Sequence, residues 1–359
     1  SNPNHINNGE LWKTDGTKNG TVLVKDIMIG NHSSSPSDFE ELNGHLFFRA
    51  NDGIHGSELW KTDGTESGTS LVKDIHPTQS SSPGYLTYVN NTILFKARDG
   101  THGDELWRTD GTTIGTYMVK DIDSTTNGTM GYGGLFWGLP FHGYAVVGNE
   151  IFFEANDSIN GAELWKSDGT SNGTYMVKDI YPGANGSFDS DIYNSSFCCD
   201  RGPTVVGNQV LLWVEDGTHG LELWQSDGSS NGTFLVKDMT NSSNTGVPGV
   251  YATYLPIQCD IYQDCAVLGD EIFFSLKQSF GGAELWKYNV SSPVSSTNPV
   301  LVKDIHPNGN SYPKEFLAAG DTIYFSANDG THGYELWKTD GTTNGTVLVM
   351  DINVGANDS

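Results

Sequence analysis

Histidines and carboxylates are the side chains of this sequence whose types and spacing could bind a metal ion. Four histidines stand directly before glycine at matching positions, at His55, His102, His219 and His332. Each belongs to a different copy of a long repeat, and equivalent positions in separate copies lie too far apart to share a small ion. We therefore expect these histidines to stabilise turns, and the sequence predicts no metal site.

The recurring Asp-Gly-Thr segments, as at Asp63 to Thr65, pose the same choice between a cation site and a turn. The spacing D-G-T-x-x-G-T lacks the alternating oxygen ligands and the terminal bidentate Glu of a calcium loop. A structural turn is therefore favoured. Calcium stays the one cofactor to test, because Lys+Arg 19 against Asp+Glu 44 gives a net charge of −25.

No set of residues with catalytic spacing stands out. A polysaccharide hydrolase needs two carboxylates at a controlled separation, and 44 acidic residues supply chance pairs without favouring one. An anion site of the sialidase kind needs several converging arginines, but the chain contains only Arg49, Arg98, Arg108 and Arg201. The sequence predicts no enzyme and no catalytic residue.

A repeat fixes the elements that would position all of these side chains. The triplet Glu-Leu-Trp begins at seven positions, 47 to 62 residues apart: Glu10, Glu58, Glu105, Glu163, Glu222, Glu284 and Glu335. Short apolar runs bounded by Asn-Gly or Asp-Gly indicate four antiparallel strands per copy, A to D. In the second copy we place them near Phe39 to Leu42, Leu46 to Ala50, Glu58 to Thr62 and Thr69 to Asp74.

Four strands in about 40 to 50 residues are typical of a propeller blade. We predict an all-β, seven-bladed β-propeller, built as one domain over residues 1–359. The C–D hairpins number seven, but the A–B hairpins number six, around Phe48, Phe95, Phe153, Leu212, Phe274 and Phe325. One blade is therefore expected to be incomplete, as part of a longer array or completed through another chain; a six-bladed ring with an extra hairpin is the alternative.

Seven of the nine tryptophans occupy one position on strand C, at Trp12, Trp60, Trp107, Trp165, Trp224, Trp286 and Trp337. They could form a ring that stacks on sugars or a set of wedges between blades. We expect packing, because a large aromatic side chain needed once per blade is explained by burial.

The recurring string E-L-W-x-T/S-D-G-T/S-x-x-G-T covers Glu10 to Thr21, Glu58 to Thr69, Glu105 to Thr116, Glu163 to Thr174, Glu222 to Thr233 and Glu335 to Thr346. It resembles the ELWxxDGT-repeat family of large secreted or surface proteins, and the likeness covers essentially the whole chain. The resemblance implies a propeller-like repeat and an extracellular setting, and it implies no enzyme activity. The sixth copy departs from the pattern, since Lys287-Tyr288-Asn289 follow its Trp and a Ser/Pro-rich loop extends to Pro299.

Four cysteines lie in two long insertions after the fourth and fifth copies, at Cys198, Cys199, Cys259 and Cys265. An even, clustered set without metal-binding spacing favours disulfides and hence an oxidising compartment. Three pairings are open. We favour two bridges between the insertions, which neighbouring blades would bring side by side; the rival pairs Cys198 with Cys199 and Cys259 with Cys265, and it contains a vicinal bond.

Asparagines in N-x-S/T acceptors number thirteen: Asn19, Asn31, Asn90, Asn127, Asn156, Asn172, Asn185, Asn194, Asn231, Asn241, Asn289, Asn344 and Asn357. Composition alone predicts roughly six, and an Asn-Gly-Thr turn preference explains only four of them. We expect N-glycosylation at most sites. The sites sort to both faces of the predicted propeller, whereas enzymes and lectins usually keep a rim of loops open.

The charge and the hydropathy pattern limit the partners. A net charge of −25 without a basic stripe argues against nucleic acid. No apolar run approaches the 18 or more residues of a spanning helix, and the start lacks the regions of a signal peptide, which indicates a processed or trimmed chain. The expected partners are further copies of the chain or other extracellular proteins, together with N-linked glycans.

These features favour a non-enzymatic, glycosylated extracellular protein with a structural or adhesive role, such as the repeating subunit of a surface filament or coat. The alternative is a lectin-like, carbohydrate-binding propeller module. It would use Tyr132, Phe136, Trp137 and His142 in the aromatic, Gly-rich insertion at 123–143. A loop packed over the ring is the other interpretation of that cluster.

Overall fold

The structure, a computed structural model, describes residues 9–123, 144–188, 203–238, 265–278, 282–292 and 299–355. These residues form twenty-six β-strands and no helix. The first sheet has two strands, and the other six have four strands each, all antiparallel and joined in sequence order. The two-stranded sheet, the half-blade, consists of β1 (Leu11–Lys13) and β2 (Val22–Lys25).

The four-stranded sheets are numbered here as blades 1 to 6, and their strands correspond to positions A, B, C and D of the repeat. Blade 1 contains β3 (Ser37–Leu42), β4 (His45–Asn51), β5 (Ser57–Thr62) and β6 (Ser70–Lys73). Blade 2 contains β7 (Gly84–Val89), β8 (Thr92–Arg98), β9 (Asp104–Thr109) and β10 (Tyr117–Lys120). Blade 3 contains β11 (Ala145–Val147), β12 (Glu150–Asn156), β13 (Ala162–Ser167) and β14 (Tyr175–Lys178).

The remaining three blades repeat this arrangement. Blade 4 contains β15 (Thr204–Val206), β16 (Gln209–Glu215), β17 (Leu221–Ser226) and β18 (Phe234–Lys237). Blade 5 contains β19 (Cys265–Leu268), β20 (Glu271–Gln278), β21 (Gly282–Asn289) and β22 (Val300–Lys303). Blade 6 contains β23 (Lys314–Ala319), β24 (Thr322–Asn328), β25 (Tyr334–Thr339) and β26 (Val347–Met350).

The predicted all-β class and the seven propeller blades, one of them incomplete, are confirmed. The contacts divide the chain into two compact units, residues 1–176 and 177–359, with the boundary inside β14. The single domain over residues 1–359 stays a prediction.

Both faces of an internal blade are buried, which explains why its strands carry consecutive apolar residues. Phe47 and Phe48 are consecutive on β4 and point to opposite faces of the sheet, and both are buried. Phe48 packs with the half-blade side chains, whereas Phe47 packs with Ile93 and Phe95 of blade 2. A solvated sheet would instead alternate apolar and polar residues.

The half-blade packs on blade 1 in the way that blade 1 packs on blade 2. Its Leu11 and Val24 lie against Phe48 and Trp60 of blade 1. One blade further along, the equivalent side chains Leu59 and Val72 lie against Phe95 and Trp107. The first hairpin therefore takes the place of a blade in the first unit, as the incomplete-blade prediction requires.

Candidate functional site: the recurring motif and the blade ends

The Glu of each Glu-Leu-Trp triplet is buried, and those of five copies accept backbone N–H groups from the end of strand D. Glu58 on β5 is fully buried, and its Oε2 accepts the Ile75 N–H at 3.0 Å and the Ser81 O–H at 2.5 Å. Its Oε1 accepts the Ser81 N–H at 2.8 Å. Glu10 binds Ile27 and Ser34 in the same way. The carboxylate thus ties the end of strand D and the following D–A segment to strand C.

Burial raises the pKa of Glu58 and of Glu284, and the hydrogen bonds that each carboxylate accepts offset this only in part. Glu284 accepts the Ile305 N–H at 2.8 Å and the Ser311 O–H at 2.6 Å. A raised pKa often marks a catalytic acid, but structural networks produce it as well. Here the oxygens contact backbone amides and serine inside one blade, so the geometry indicates an anchor.

Most of the recurring tryptophans lie between blades, and a lysine of the preceding blade lies over the rings of Trp107, Trp165, Trp224 and Trp337. Lys73 on β6 donates to the Thr116 carbonyl at 2.6 Å, and its Nζ lies 5.9 Å from the centre of the Trp107 ring. Lysine-to-carbonyl contacts of this kind join Lys25 to Thr69, Lys120 to Thr174, Lys178 to Thr233 and Lys303 to Thr346. A charged hydrogen bond and a cation–π contact therefore accompany the apolar packing.

The exposed fraction of these tryptophan side chains differs among the copies of the repeat. Trp60, Trp107, Trp165, Trp224 and Trp337 are 6–7% exposed, Trp286 is half-buried, and Trp12 of the half-blade is 47% exposed. Five of the seven rings are therefore buried, as the packing prediction requires.

The Asp-Gly-Thr segment is a closed network of hydrogen bonds. Asp63 Oδ1 accepts the Thr65 N–H at 2.8 Å and the Thr65 O–H at 2.6 Å, and the hydroxyls of Thr62 and Thr69 lie 2.7 Å apart. The Thr65 side chain and backbone together lower the pKa of Asp63. A Cβ on Gly68 would lie 2.0 Å from Asp63 Oδ1, so the second glycine of the motif allows the carboxylate to approach.

The four predicted turn histidines each contact an aspartate three residues earlier. His102 Nδ1 lies 2.8 Å from Asp99 Oδ2, and the equivalent distances are 2.6 Å for His55, 2.7 Å for His219 and 2.8 Å for His332. The hydrogen bond to Asp99 raises the pKa of His102; burial opposes this rise, and the charge of Asp99 adds to it.

Blade 3 builds the same turn without a histidine. Asn160 Nδ2 donates to Asp157 Oδ2 at 2.7 Å. Because an amide replaces the imidazole there, the group caps a turn and does not depend on metal-binding or acid–base chemistry.

The sixth copy replaces the usual turn by a different polar contact. Tyr288 at the end of β21 is fully buried, and its hydroxyl donates to Gln225 Oε1 of blade 4. Gln225 Nε2 in turn donates to the Val290 carbonyl at 3.3 Å. In other copies a Lys or Arg at the Gln225 position donates to a turn glycine, as Lys61 does to the Gly111 carbonyl at 2.8 Å. Burial raises the pKa of Tyr288 well above its usual value, so the phenol stays a donor.

A groove of about 290 Å³ beside β1 is a consequence of the missing strands. Trp12, His45 and Gly64 are among the residues that line it. A Cβ on Gly64 would meet no atom within 4 Å, whereas one on Gly111 would lie 2.9 Å from the Phe47 ring. Phe47 lies on strand B, which the half-blade lacks, so the groove is the space that a strand-B side chain fills between complete blades.

Most predicted glycosylation sites in the described residues are exposed. Asn19, Asn31, Asn90, Asn172, Asn185, Asn231 and Asn344 are exposed, while Asn156 and Asn289 are half-buried at strand ends. Within single blades they occur at both ends of the sheet, in A–B, B–C, C–D and D–A segments. Asn127, Asn194, Asn241 and Asn357 lie outside the described residues.

The disulfide prediction and the aromatic insertion fall mostly elsewhere in the chain. Cys265 begins β19 and has no disulfide partner among the described residues; Cys198, Cys199 and Cys259 lie outside them, so the bridges stay a prediction. Tyr132, Phe136, Trp137 and His142 lie outside them as well.

Within the described ranges, no three or more His, Cys, Asp or Glu side chains come together as a metal site. The same part of the chain contains no helix that is long and apolar enough to cross a membrane.

Two recurring residues were not given a role by sequence reasoning. They are the buried Glu of the triplet and the Lys that precedes Asp-Ile, or Asp-Met in the fifth copy. The lysine side chains contact backbone carbonyl groups and tryptophan rings of the next blade. The available signal was recurrence itself, since Glu occupies its position in all seven copies and Lys in six. In the last copy Met350 replaces the lysine.

No protein-family model and no curated protein matches the chain. Among solved structures it is similar to a prolyl endopeptidase, with 10% identity, a TM-score of 0.34, and 87% of this chain and 49% of that one covered. It is also similar to TolB from Acinetobacter baumannii, with 12% identity, a TM-score of 0.32, and 85% of this chain and 63% of that one covered. A puromycin-hydrolysing peptidase from Mycobacterium tuberculosis is similar at 11% identity and a TM-score of 0.32, with 89% of this chain and 54% of that one covered. The chain therefore spans less than two-thirds of the length of these proteins.

Proposed function

We propose that this chain is a non-enzymatic, N-glycosylated extracellular protein with a structural or adhesive role, as a building block of a surface filament or coat. The observation that carries the proposal is the use of the motif. The recurring Glu, Leu, Asp, Gly and Thr residues take part in packing or in hydrogen bonds inside the blades, and five of the seven tryptophans are buried. A repeat whose recurring side chains all serve the scaffold leaves none of them for a shared catalytic site.

The acceptor asparagines support the extracellular part of the proposal. Seven of the nine in the described residues are exposed, which a bulky glycan requires. They lie at both ends of the blades and would leave few loop surfaces bare. The resemblance to secreted ELWxxDGT-repeat proteins and the clustered cysteines point to the same compartment.

The mass of the native protein before and after enzymatic removal of N-glycans tests this proposal. We expect a large mass decrease, and peptide mapping should place glycans on exposed sites such as Asn172 and Asn231. Immunogold labelling of intact cells should find the chain at the surface. An unmodified protein inside the cell would overturn the extracellular role.

The non-enzymatic part has its own test. We expect no turnover on panels of polysaccharides, glycosides and peptides at protein concentrations where trace activity would be detected. Reproducible hydrolysis that survives repurification and disappears in a point variant would contradict it.

A further inference from the structure

Three of the predicted glycosylation acceptors have the same tripeptide, Asn-Gly-Thr, in the turn between strands C and D of their blades. They are Asn172, Asn231 and Asn344. The three asparagines are exposed, but the residues that complete the tripeptides are 0% exposed: Thr174, Thr233 and Thr346. The side chain that would receive a glycan and the hydroxyl that marks it as an acceptor therefore differ sharply in accessibility.

The Thr174 hydroxyl is held by two hydrogen bonds inside blade 3. It donates to the Thr170 carbonyl at 2.7 Å, and it lies 2.7 Å from the hydroxyl of Ser167 at the end of strand C. The Thr174 carbonyl accepts a hydrogen bond from Lys120 Nζ of blade 2 at 2.6 Å. Both the hydroxyl and the carbonyl of this residue are therefore used within the fold.

The glycine in the middle of the tripeptide is closed in as well. The Gly173 N–H group donates to Thr170 Oγ1 at 3.0 Å, and a Cβ on Gly173 would lie 2.0 Å from Asp168 Oδ1. The equivalent glycines of the other two tripeptides approach their aspartates equally closely. Two residues of each tripeptide are thus packed in the turn, and only the asparagine is exposed.

We propose that Asn172, Asn231 and Asn344 accept N-glycans only before strands C and D of their blades pair, so that a glycan at these sites has to be added to the unfolded chain. An N-glycosyl transferase recognises the tripeptide through its hydroxyl residue, which is why Ser or Thr is required two residues after the asparagine. A hydroxyl that is buried and hydrogen-bonded cannot enter the transferase. This order of modification and folding rests on the proposed function, which supplies the extracellular route.

The bond to the sugar involves the asparagine side chain alone. The amide nitrogen of Asn172 bonds to the anomeric carbon of an oligosaccharide carried on a polyprenyl diphosphate, the carbon–oxygen bond to the diphosphate breaks, and the nitrogen loses a proton. Because Asn172 is exposed, the glycan can remain on the surface after folding. The fold therefore tolerates the product but closes the site to its formation.

Other acceptors in the described residues keep the hydroxyl residue exposed. Ser158 and Ser291 complete the acceptors at Asn156 and Asn289, and both serines are exposed. Thr21 of the half-blade, which completes the first Asn-Gly-Thr tripeptide, is exposed as well. The restriction therefore belongs to the Asn-Gly-Thr turn of the four-stranded blades and not to acceptors in general.

The test compares the folded chain with the same sequence as free peptides. The full chain is produced in cells depleted of the lipid-linked donor, with a flexible tail containing Asn-Gly-Thr after Ser359 as the matched acceptor. Circular dichroism and thermal melting establish that it folds. Purified transferase and donor are then added to this chain and, separately, to its tryptic peptides, of which residues 167–178 contain Asn172. Peptide mass spectrometry follows the occupancy of each site over time.

We expect equal transfer to the tail in both samples. Transfer to Asn172 should be more than about 10-fold slower in the folded chain than in the peptide, because it requires local opening of the C–D hairpin. A smaller difference would overturn the proposal, as would a peptide that accepts no glycan at Asn172 while the tail peptide accepts one.

Pulse–chase labelling in glycosylating cells is a second measurement, which does not require the unglycosylated chain to fold. Glycans at Asn172, Asn231 and Asn344 should be acquired during the pulse alone, whereas the tail should continue to gain them during the chase. Continued filling of the three sites in chains that already resist protease would contradict the proposed order.

These outcomes are separable from the proposed function, because transfer to the purified chain does not depend on where the cell places it. A folded chain that accepts glycans readily at Asn172 overturns the order of events and leaves the extracellular role. A native protein without N-glycans, whose peptide accepts them while its folded chain does not, does the opposite.

Discussion

Removal of the Glu58 carboxylate should destabilise the first unit by an amount that its hydrogen bonds predict. Glu58→Ala leaves the Ile75 and Ser81 N–H groups without their acceptor, while the Ser81 hydroxyl keeps the Ser57 carbonyl at 3.4 Å. Each buried donor without a partner costs about 1–3 kcal/mol. Relief of the buried charge offsets part of this cost, so we expect a loss of about 2–4 kcal/mol.

The Glu58→Gln variant separates hydrogen bonding from charge. The amide keeps one acceptor oxygen but turns an N–H group toward a donor, for which we expect a loss of about 1–3 kcal/mol. Burial raises the pKa of Glu58, so the folded state holds the proton more tightly than the unfolded chain. The stability of the wild type relative to Glu58→Gln should therefore be greatest below about pH 4.5 and decline as pH rises through the folded pKa.

Urea denaturation followed by tryptophan fluorescence measures these differences, and hydrogen exchange at Ile75 and Ser81 locates them. Glu66→Ala is the control, because the Glu66 side chain is exposed in a turn of the same blade. Both amides should lose protection in Glu58→Ala and keep it in Glu66→Ala. Unchanged protection at Ile75 and Ser81, with a loss below about 0.5 kcal/mol, would refute the anchoring role of the carboxylate.

Three further changes test the other parts of the motif. His102→Asn reproduces the turn of blade 3. Because Asp99 raises the pKa of His102, the extra stability of the wild type over the variant should be complete below about pH 6.5 and should disappear as the pH rises through the folded pKa. Thermal melting across pH measures this difference. Gly68→Ala places a Cβ 2.0 Å from Asp63 Oδ1 and should lower the midpoint of thermal unfolding, whereas equal midpoints would contradict the close-approach role. Lys73→Met removes a bond to a carbonyl and should destabilise by about 1–2 kcal/mol in urea; a stabilised variant would show that packing alone seals the blades.

The hairpin signals made the blades predictable from the sequence, but they did not predict the hydrogen bonds that stabilise each blade. Asn-Gly and Asp-Gly turns between short apolar runs mark strand boundaries locally, so the four strands around Phe48 and Trp60 follow from the sequence. Glu58 is charged, and its place at the start of strand C does not indicate that it is buried. Its partners at Ile75 and Ser81 are backbone amides 17 and 23 residues away, and periodicity carries no information about them.

The replacement turn of the sixth copy shows a second limit. The loss of Thr-Asp-Gly after Trp286 is visible in the sequence, but its compensation is not, because Gln225 and Tyr288 are 63 residues apart and occur once each. Single occurrences give no repeat to compare. The contact depends on two adjacent blades that bring a buried phenol and an amide within bonding distance.

The recurring side chains fall into two groups that do different work in the fold. Glu58 and Asp63 accept hydrogen bonds that fix the turns and strand ends of blade 1, whereas Lys73 and Val72 contact blade 2. The first group makes each blade rigid, and the second group joins it to the blade that follows. Because both groups recur with the repeat, one sequence motif specifies the internal structure of a blade and its contact with a neighbour, which is why the blades vary so little while the connecting segments vary in length.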